Sequence, residues 1–165
     1  MRWLRLFLLL VAVLAVLLVG AGQAGFLAGH PPQNTLGVRD GRLAPPSSTP
    51  NSVSSQADVY PGHPQREYAR IAPLRYSGDG MAAMGRLAAV LHGMDRIRIV
   101  VEQPDYIRAE IESRWLRYVD DAEFWLDPSA GVIQVRSASR LGRSDLGANR
   151  AHIEAIRARL AATGQ

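Results

Sequence analysis

The sequence predicts an α+β fold, in which a four-stranded antiparallel meander carries helices on one face and follows an N-terminal transmembrane helix. Three observations support this prediction: an apolar run near the N-terminus, four segments with strand patterning between residues 97 and 139, and an amphipathic helical pattern on each side of them. The strand segments are joined by connections of at most five residues, and connections so short join antiparallel neighbours. With 165 residues, the chain has room for one such domain.

The N-terminal apolar run is long enough to cross a membrane. Residues 6–19 contain no polar side chain, and the run continues to Ala28 with glycines and one glutamine tolerated. About 20 residues span the roughly 30 Å hydrocarbon core of a bilayer, so we expect residues 4–28 to lie in the membrane. Arg2 and Arg5 precede the run, and the next basic residue lies well downstream. This asymmetry predicts a cytoplasmic N-terminus and an extracytoplasmic domain, which in a bacterium means the inner (cytoplasmic) membrane and the periplasmic side of the cell envelope.

Residues 1–28 fit either a transmembrane signal anchor or a cleaved signal peptide. A signal peptide needs a small-residue cleavage site after its apolar core, and residues 22–24 provide a passable one. An anchor needs the apolar run to continue past that site, which it does at residues 26–28. We favour the anchor because the whole run has spanning length. Both alternatives deliver the remainder of the chain to the same side of the membrane.

A proline-rich segment, residues 29–73, separates the apolar run from the patterned part of the chain. Proline fixes φ and lacks an N–H donor, which excludes a central strand or a long helix here. We expect residues 29–46 to form a Pro/Gly-rich tether and residues 47–165 to form the domain, with residues 47–73 as ordered coil on its surface. Eight of the ten prolines lie in this segment: Pro31, Pro32, Pro45, Pro46, Pro50, Pro61, Pro64 and Pro73.

Two helices and four strands account for the rest of the predicted domain. Asp79 is a suitable N-cap for a helix that ends at Gly93, and Ser144 or Asp145 is a suitable N-cap for a C-terminal helix. The strands are predicted at residues 97–102, 106–114, 119–126 and 132–139. The side chains expected in the core are Met81, Met84, Leu87, Val90, Leu91, Ile107, Ala109, Ile111, Ala122, Phe124, Leu126, Leu146, Ile153, Ile156 and Leu160.

The charged residues are segregated along the chain. All nineteen basic residues are arginines, and the formal net charge is +4. Residues 102–127 hold eight acids against three arginines, whereas residues 136–159 hold six arginines against two acids. Because these blocks lie on neighbouring strands of the predicted meander, we expect them to form ion pairs. Arginine can form each pair through a two-point contact.

The composition excludes several classes of function. The chain has no cysteine, which rules out disulfides, Cys-ligated metals and a Cys nucleophile. Nucleic-acid binding is not expected, because the acids cancel the field of the arginine block and no aromatic residue follows Arg136. The sequence implies no cofactor and no metal ion, since the nearest carboxylate pair, Asp120 and Asp121, would point to opposite faces of a regular strand.

Three motifs carry a resemblance to a known family. The longest is Arg-Ser-Ala-Ser-Arg-Leu-Gly-Arg-Ser-Asp-Leu-Gly-Ala-Asn-Arg at residues 136–150, and Pro-Asn-Ser-Val-Ser-Ser (50–55) and Asp-Asp-Ala-Glu-Phe (120–124) accompany it. Together they resemble the signature of DUF1499, an uncharacterised family of bacterial and plant proteins. The family commonly has cysteine where this chain has Ser52, so no thiol or metal role of that position can apply here. Because the family has no established activity, the resemblance implies an architecture rather than a function.

The three motifs are expected to meet in one polar cluster. Asp121 and Glu123 lie on the third predicted strand beside arginines of the fourth, and the serines of the 50–55 motif are placed to cap loop backbone groups. Asn149 and Arg150 open the last helix, whose first-turn N–H groups attract anions. The candidate site residues are Ser54, Ser55, Asp121, Glu123, Arg136, Ser139, Arg140, Asp145, Asn149 and Arg150.

We favour a non-enzymatic function for this domain. An exported, tethered domain with an apolar cleft gated by the arginines would hold an anionic amphiphile, such as a lipid or a fatty acid. Alternatively, the protein is a structural or interaction protein that meets an envelope protein partner through Tyr106, Trp115, Tyr118 and Trp125.

The remaining alternative is a hydrolase-like enzyme. Its carboxylate pair would act as acid and base, two arginines would clamp an anion, and a serine would be the nucleophile: Asp121 and Glu123, Arg136 and Arg140, and Ser54 or Ser55. A serine nucleophile needs a base, and none of the four histidines, His30, His63, His92 and His152, is convincingly placed to serve. The sequence contains no nucleophile elbow, zinc-protease, P-loop or dinucleotide-binding motif.

Overall fold

The computed structural model describes residues 1–32 and 35–163 and has an α+β architecture with an antiparallel sheet. Residues 33 and 34 of the predicted tether, and residues 164 and 165 of the predicted domain, lie outside the described residues. In chain order the elements are α1 (Arg2–Gln23), β1 (Ser52–Ser54), a 3-10 turn (Ala57–Val59), α2 (Arg66–Ala69), β2 (Leu74–Arg75), α3 (Gly80–His92), β3 (Ile97–Glu102), β4 (Tyr106–Glu112), β5 (Val119–Asp127), β6 (Val132–Ser139) and α4 (Ala148–Ala162).

The sheet has six strands, so the prediction of a four-stranded meander is wrong in strand number. The four predicted strands form the meander β6-β5-β4-β3, and β1 and β2 both pair antiparallel with the outer edge of β6. Ser54 lies opposite Arg136, and Leu74 lies opposite Ile133. The two added strands are three and two residues long. Strands so short show no readable alternation; β1 lies in the proline-rich segment, and β2 directly follows it.

The hydrophobic core joins the sheet to α3 and α4. Inward side chains of the central strands pack with Leu87 and Leu91 of α3 and with Ile153 and Ile156 of α4. The predicted cap of α3 is confirmed, because the Asp79 carboxylate accepts the Ala82 N–H at 2.7 Å. The strand residues of this core are Ile107, Ile111, Ala122, Phe124, Leu126, Ile133 and Val135.

Two residues predicted in the core are exposed. Met81, in the first turn of α3, is 49% exposed, and Leu146 is 95% exposed. Leu146 is excluded because α4 begins only at Ala148, after two successive residues with positive φ, 51° at Leu146 and 85° at Gly147. This left-handed backbone cannot continue a right-handed helix, so it turns the Leu146 side chain away from the core.

The N-terminal helix α1 has the length and composition of a membrane anchor or a signal sequence. Its most apolar 18-residue stretch has a mean hydropathy of 2.8 and is not buried against the domain, and 22 residues at 1.5 Å each reach about 33 Å. Only its last turn meets the domain, at the loop between β4 and β5. The Gln23 amide donates to the Trp115 carbonyl at 3.0 Å, and Gly22 packs against the Leu116 backbone.

Candidate functional site

Charged side chains occupy alternate positions of the central strands, between the residues that form the core. On β5, Asp121 and Glu123 flank the core and alternate with residues such as Phe124. The strand register sets Glu123 opposite Arg136 of β6, and Arg140 directly follows that strand. Neighbouring strands lie about 4.8 Å apart, so carboxylates and guanidinium groups on adjacent strands are within reach of one another.

Glu123 is fully buried and makes three polar contacts. Arg136 Nη1 lies 3.2 Å from one carboxylate oxygen, and the Tyr106 hydroxyl and the Gly37 N–H donate to the other oxygen at 2.8 and 2.7 Å. Burial, followed by the negative charge of Glu123, raises the pKa of Tyr106 well above its ordinary value. The tyrosine therefore stays protonated and remains a donor to the carboxylate.

The coil at residues 35–48, here called the strap, lies over the Glu123–Arg136 pair. Besides the Gly37 N–H, its Pro45 carbonyl contacts the pair, accepting from Arg136 Nε at 3.4 Å. Leu43 is buried, and its N–H donates to the Gln56 side chain at 2.8 Å. The strap includes residues predicted as tether, and in this structure it packs against the sheet.

Asp121 is held by two arginines. Arg140 donates through Nε to Oδ2 at 2.8 Å and through Nη2 to Oδ1 at 2.9 Å, while Arg108 Nη1 lies 3.3 Å from Oδ1. Arg140 Nη2 also donates to Glu110 at 2.6 Å, and Arg98 binds the other oxygen of Glu110. The hydrogen bonds to Asp121 are the main reason that the pKa of Arg140 is raised, and burial opposes them. The neighbouring carboxylates of Glu110 on β4 and Asp121 on β5 are therefore joined by Arg140, and each has a second arginine partner.

A cavity of about 390 Å³ lies between this network and the strap. Asp121, Arg136, Ser139 and Arg140 line it, and Pro45 is among the strap residues opposite. The arginine side chains are almost wholly buried and already paired with carboxylates. An anion that entered this cavity would have to compete with those carboxylates for the arginines.

A second polar group surrounds Asn149 at the start of α4. Its Nδ2 donates to the Asn51 carbonyl, the Ser139 hydroxyl and the Asp145 carboxylate at 3.0, 2.9 and 2.9 Å. Its Oδ1 accepts from the Ser137 hydroxyl at 2.5 Å. Asn149 is fully buried and has no access to water, so its polar atoms depend on these protein groups for hydrogen bonds.

The N-cap of α4 is Gly147, so the prediction that Ser144 or Asp145 occupies this position is wrong, but the Asp145 carboxylate still accepts hydrogen bonds at this end of the helix. This carboxylate accepts the Gly147 and Asn149 N–H groups at 3.0 and 3.1 Å and the Tyr68 hydroxyl. Burial would raise the pKa of Asp145, but the hydrogen bonds from Tyr68, Asn149 and Gly147 outweigh it and lower that pKa below its ordinary value. Arg150 takes no part in the ion pairs, since it donates to the Tyr68 and Arg70 carbonyls at 2.6 and 2.9 Å.

The hydroxyls of the two candidate serines accept hydrogen bonds from backbone N–H groups near the sheet edge. The Ser54 hydroxyl is buried and accepts the Gln56 N–H at 3.1 Å. The Ser55 hydroxyl accepts the Val135 N–H at 2.8 Å and lies 2.7 Å from the Gln134 side chain. Within residues 1–32 and 35–163, no histidine hydrogen-bonds to either serine. The geometry therefore gives neither hydroxyl the base that a nucleophile needs.

Two of the sequence motifs meet in this arrangement. The Ser139 N–H donates to the Asn51 carbonyl at 3.0 Å, and the Asp145 N–H donates to the Pro50 carbonyl at 3.2 Å. The family model described as a protein of unknown function (DUF1499) matches residues 42–160. The chain belongs to the DUF1499 family. No curated protein and no solved structure matches the chain.

The DUF1499 domain has a second cavity, of about 500 Å³, near the end of α1. Leu27, which follows α1 in the chain, lines this anchor-side cavity together with Tyr118, Leu141 and Leu146. The last three of these side chains are exposed, so the apolar lining is open to the surroundings. This concentration of apolar groups near the end of α1 was not evident from the sequence, because its members come from three separate segments.

Asp120 and His152 lie close together in the polar part of the anchor-side cavity, which also includes Ser113, Ser139, Ser144 and Asp145. His152 Nδ1 lies 3.3 Å from Asp120 Oδ2, outside hydrogen-bonding geometry. Asp120 adjoins the predicted site residue Asp121 but serves a different cavity, because successive strand residues point to opposite faces. The 120–124 motif of the DUF1499 signature therefore contributes carboxylates to two sites, of which the sequence analysis considered only one.

Proposed function

We propose that this DUF1499 protein is a non-enzymatic module of the cell envelope that binds an amphiphile in the anchor-side cavity. Helix α1 would hold it in the inner (cytoplasmic) membrane, with the domain on the periplasmic side. A single observation carries the ligand-binding part of this proposal: the surface of the cavity is mostly apolar, and one of its lining residues, Leu27, lies four residues after the end of α1. An amphiphile could therefore pass between the bilayer and the cavity without crossing much water.

The dimensions and chemistry of the cavity support this proposal. Its volume of about 500 Å³ falls in the range of small-molecule sites, which commonly combine an apolar lining with a few polar groups. Tyr118, Leu141 and Leu146 supply apolar surface, and Asp120 and His152 supply polarity at one place. A ligand with an apolar tail and a polar head matches this separation of apolar and polar side chains within the cavity.

Native mass spectrometry of the full-length protein, extracted from membranes in a mild detergent, tests the proposal. Ala148 lines the cavity on α4, so Ala148→Phe is expected to fill it and abolish the co-purifying amphiphile. Ala155→Phe on the exposed side of the same helix is the matched control and should keep the ligand. Wild-type protein without any bound amphiphile, or equal occupancy in the Ala148→Phe variant, would overturn the proposal.

Labelling of introduced cysteines tests the proposed topology. Because the chain has no cysteine, a membrane-impermeant maleimide can react only at the introduced site. In intact cells from which the outer barrier has been removed, Ala158→Cys on α4 should be labelled and Trp3→Cys should not. The mass of the labelled protein also tests anchoring, since an uncleaved chain has 18.0 kDa. Labelling at Trp3→Cys alone would contradict the proposed orientation.

A second function, docking to an envelope protein partner, has one observation in its favour. Trp115 is 65% exposed at the tip of the β4–β5 hairpin, with the Arg114 guanidinium 5.1 Å from its ring centre. Exposed tryptophan and arginine are common anchors of protein interfaces. Crosslinking in the native membrane from Trp115→Cys would distinguish this function, because it should yield a discrete partner band that an Ala148→Phe substitution leaves unchanged.

A further inference from the structure

The carboxylate of Asp120 has an unusual environment in the anchor-side cavity. Its side chain is 8% exposed and lines the cavity, and within residues 1–32 and 35–163 it accepts no hydrogen bond. Its neighbour Asp121, one residue away, is held by Arg140 and Arg108. A buried carboxylate without a donor is costly, and each exception to the pairing rule calls for an explanation.

Among the described residues that line this cavity, only His152 can offset the charge of Asp120, and its Nδ1 lies 3.3 Å from Oδ2 without hydrogen-bonding geometry. Asp145 adds a second carboxylate, whose oxygens are occupied by Tyr68, Gly147 and Asn149. His152 is the one histidine in the described lining, and no described arginine lines the cavity. The anchor-side cavity therefore presents an excess of acceptors and negative charge.

We infer that the amphiphile bound in the anchor-side cavity carries an ammonium head group, held by the Asp120 carboxylate. This inference rests on the proposed function and specifies its ligand class. An ammonium group donates up to three hydrogen bonds and carries the charge that the carboxylate lacks. The apolar tail then lies along Leu27, Leu141 and Leu146.

This head group differs from the anionic one expected from the sequence. That expectation placed the head group at the arginine cluster, where Arg136 and Arg140 are paired with Glu123 and Asp121. Desolvating an anion beside Asp120 would place like charges together, which disfavours binding. Electrostatics thus select for a cation in the anchor-side cavity.

Two kinds of molecule carry this chemistry: a membrane lipid with an ethanolamine head group, and a free single-chain alkylamine. Titration of full-length protein in a non-ionic detergent with dodecylammonium, and with dodecanoate of equal chain length, isolates the head-group charge. Lysophosphatidylethanolamine and lysophosphatidylglycerol of equal chain length form the second pair of probes. Binding of lysophosphatidylethanolamine supports the lipid source, whereas binding of dodecylammonium alone supports the single-chain source.

We expect dodecylammonium to bind at least about tenfold more tightly than dodecanoate, as loss of one charge-assisted hydrogen bond implies. Asp120→Asn should remove that preference, whereas Asp95→Asn at an exposed site should keep it. Because the two probes are compared on the wild-type protein, the inference stays testable even if Asp120→Asn fails to fold. Equal affinity for the two probes overturns the head-group inference alone, and no binding of either probe overturns the ligand-binding proposal with it.

Discussion

Arg140 holds Asp121 through a two-point contact, with Nε 2.8 Å from Oδ2 and Nη2 2.9 Å from Oδ1. Both side chains are almost completely buried; the arginine directly follows β6, and the aspartate is the third residue of β5. The planar guanidinium matches the carboxylate at both points, which a lysine could not do. The contact therefore fixes how the loop after β6 leaves the sheet.

A double-mutant cycle at this pair should reveal strong coupling. We expect Arg140→Ala and Asp121→Ala each to lower the free energy of unfolding by about 3–5 kcal/mol, because each leaves a buried charge without its main partner. The double variant should lose less than the sum of the two, by about 1–3 kcal/mol. Urea unfolding followed by near-ultraviolet circular dichroism measures all four proteins. Simple addition of the two losses would show that the pair is not coupled.

Asn149 should be among the least replaceable polar residues of the domain. Asn149→Ala leaves the Asn51 carbonyl and the Ser137 hydroxyl without their partner in a buried place, so we expect a loss of about 2–4 kcal/mol. Glu154→Ala, on the exposed side of the same helix, should cost at most about 0.5 kcal/mol. The same urea unfolding measurement compares them, and similar losses in the two variants would count against a special role for Asn149.

The central strands and α3 could be predicted because their patterns are long and local. Tyr106–Glu112 alternates apolar and charged side chains over a whole strand, and Gly80–His92 has a cap, an apolar stripe and a terminating glycine. By contrast, Ser52–Ser54 and Leu74–Arg75 exist as strands only because the edge of β6 offers them backbone partners. When a distant strand supplies the hydrogen-bond partners, a segment of two or three residues need not have a strand pattern in its own sequence.

The candidate site was predictable to the extent that it follows from strand register. Asp121, Glu123 and Arg136 could be expected to share one side of the sheet because side chains alternate along each strand. The contact of Asp120 with His152 could not be anticipated, since it depends on how α4 packs against β5. The position of the strap could not be predicted from the sequence either. It is set by Gly37 and other backbone groups that contact buried charges, and a coil has no periodicity that would indicate such contacts.

Acid should destabilise the domain in part through Asp145. Its pKa is lowered in the folded protein, and in the unfolded chain it is about 3.9. A group with a lowered folded pKa stabilises the protein at pH above its unfolded pKa, and this contribution is lost as the pH falls through the folded value. We therefore expect wild-type protein to lose more stability than Asp145→Asn between about pH 6 and pH 3.

Urea unfolding of both proteins across this range measures the effect, with Asp95→Asn as an exposed control. The difference between wild type and Asp145→Asn should shrink as the solution becomes more acidic. The Asp95→Asn curve should run parallel to that of the wild type. If the Asp145→Asn curve also runs parallel to the wild type, the hydrogen bonds from Tyr68 and Asn149 do not hold the carboxylate in its charged form.

The end of α1 should be sensitive to side-chain size at Gly22 but not at Gly20. A Cβ atom at Gly22 would lie 2.5 Å from the Leu116 carbonyl oxygen, whereas one at Gly20 would have no atom within 4 Å. Gly22→Leu must therefore push the β4–β5 loop away from the helix, and Gly20→Leu is the matched control. In the wild-type structure, Arg117 Nη1 donates to the Gln23 carbonyl at 3.4 Å, so cysteines introduced at these two positions report the separation of the helix from the loop.

A short bis-maleimide should join these two cysteines efficiently, since the chain has no other thiol. We expect the crosslinked fraction to persist with Gly20→Leu and to fall several-fold with Gly22→Leu. Displacement of the loop would move the two cysteines farther apart than the reagent can reach. The anchor-side cavity begins at Leu27, just beyond this junction, so the same displacement should also reduce the amphiphile that co-purifies with the protein. Equal crosslinking in both leucine variants would mean that the helix end and the loop are not in contact in the membrane.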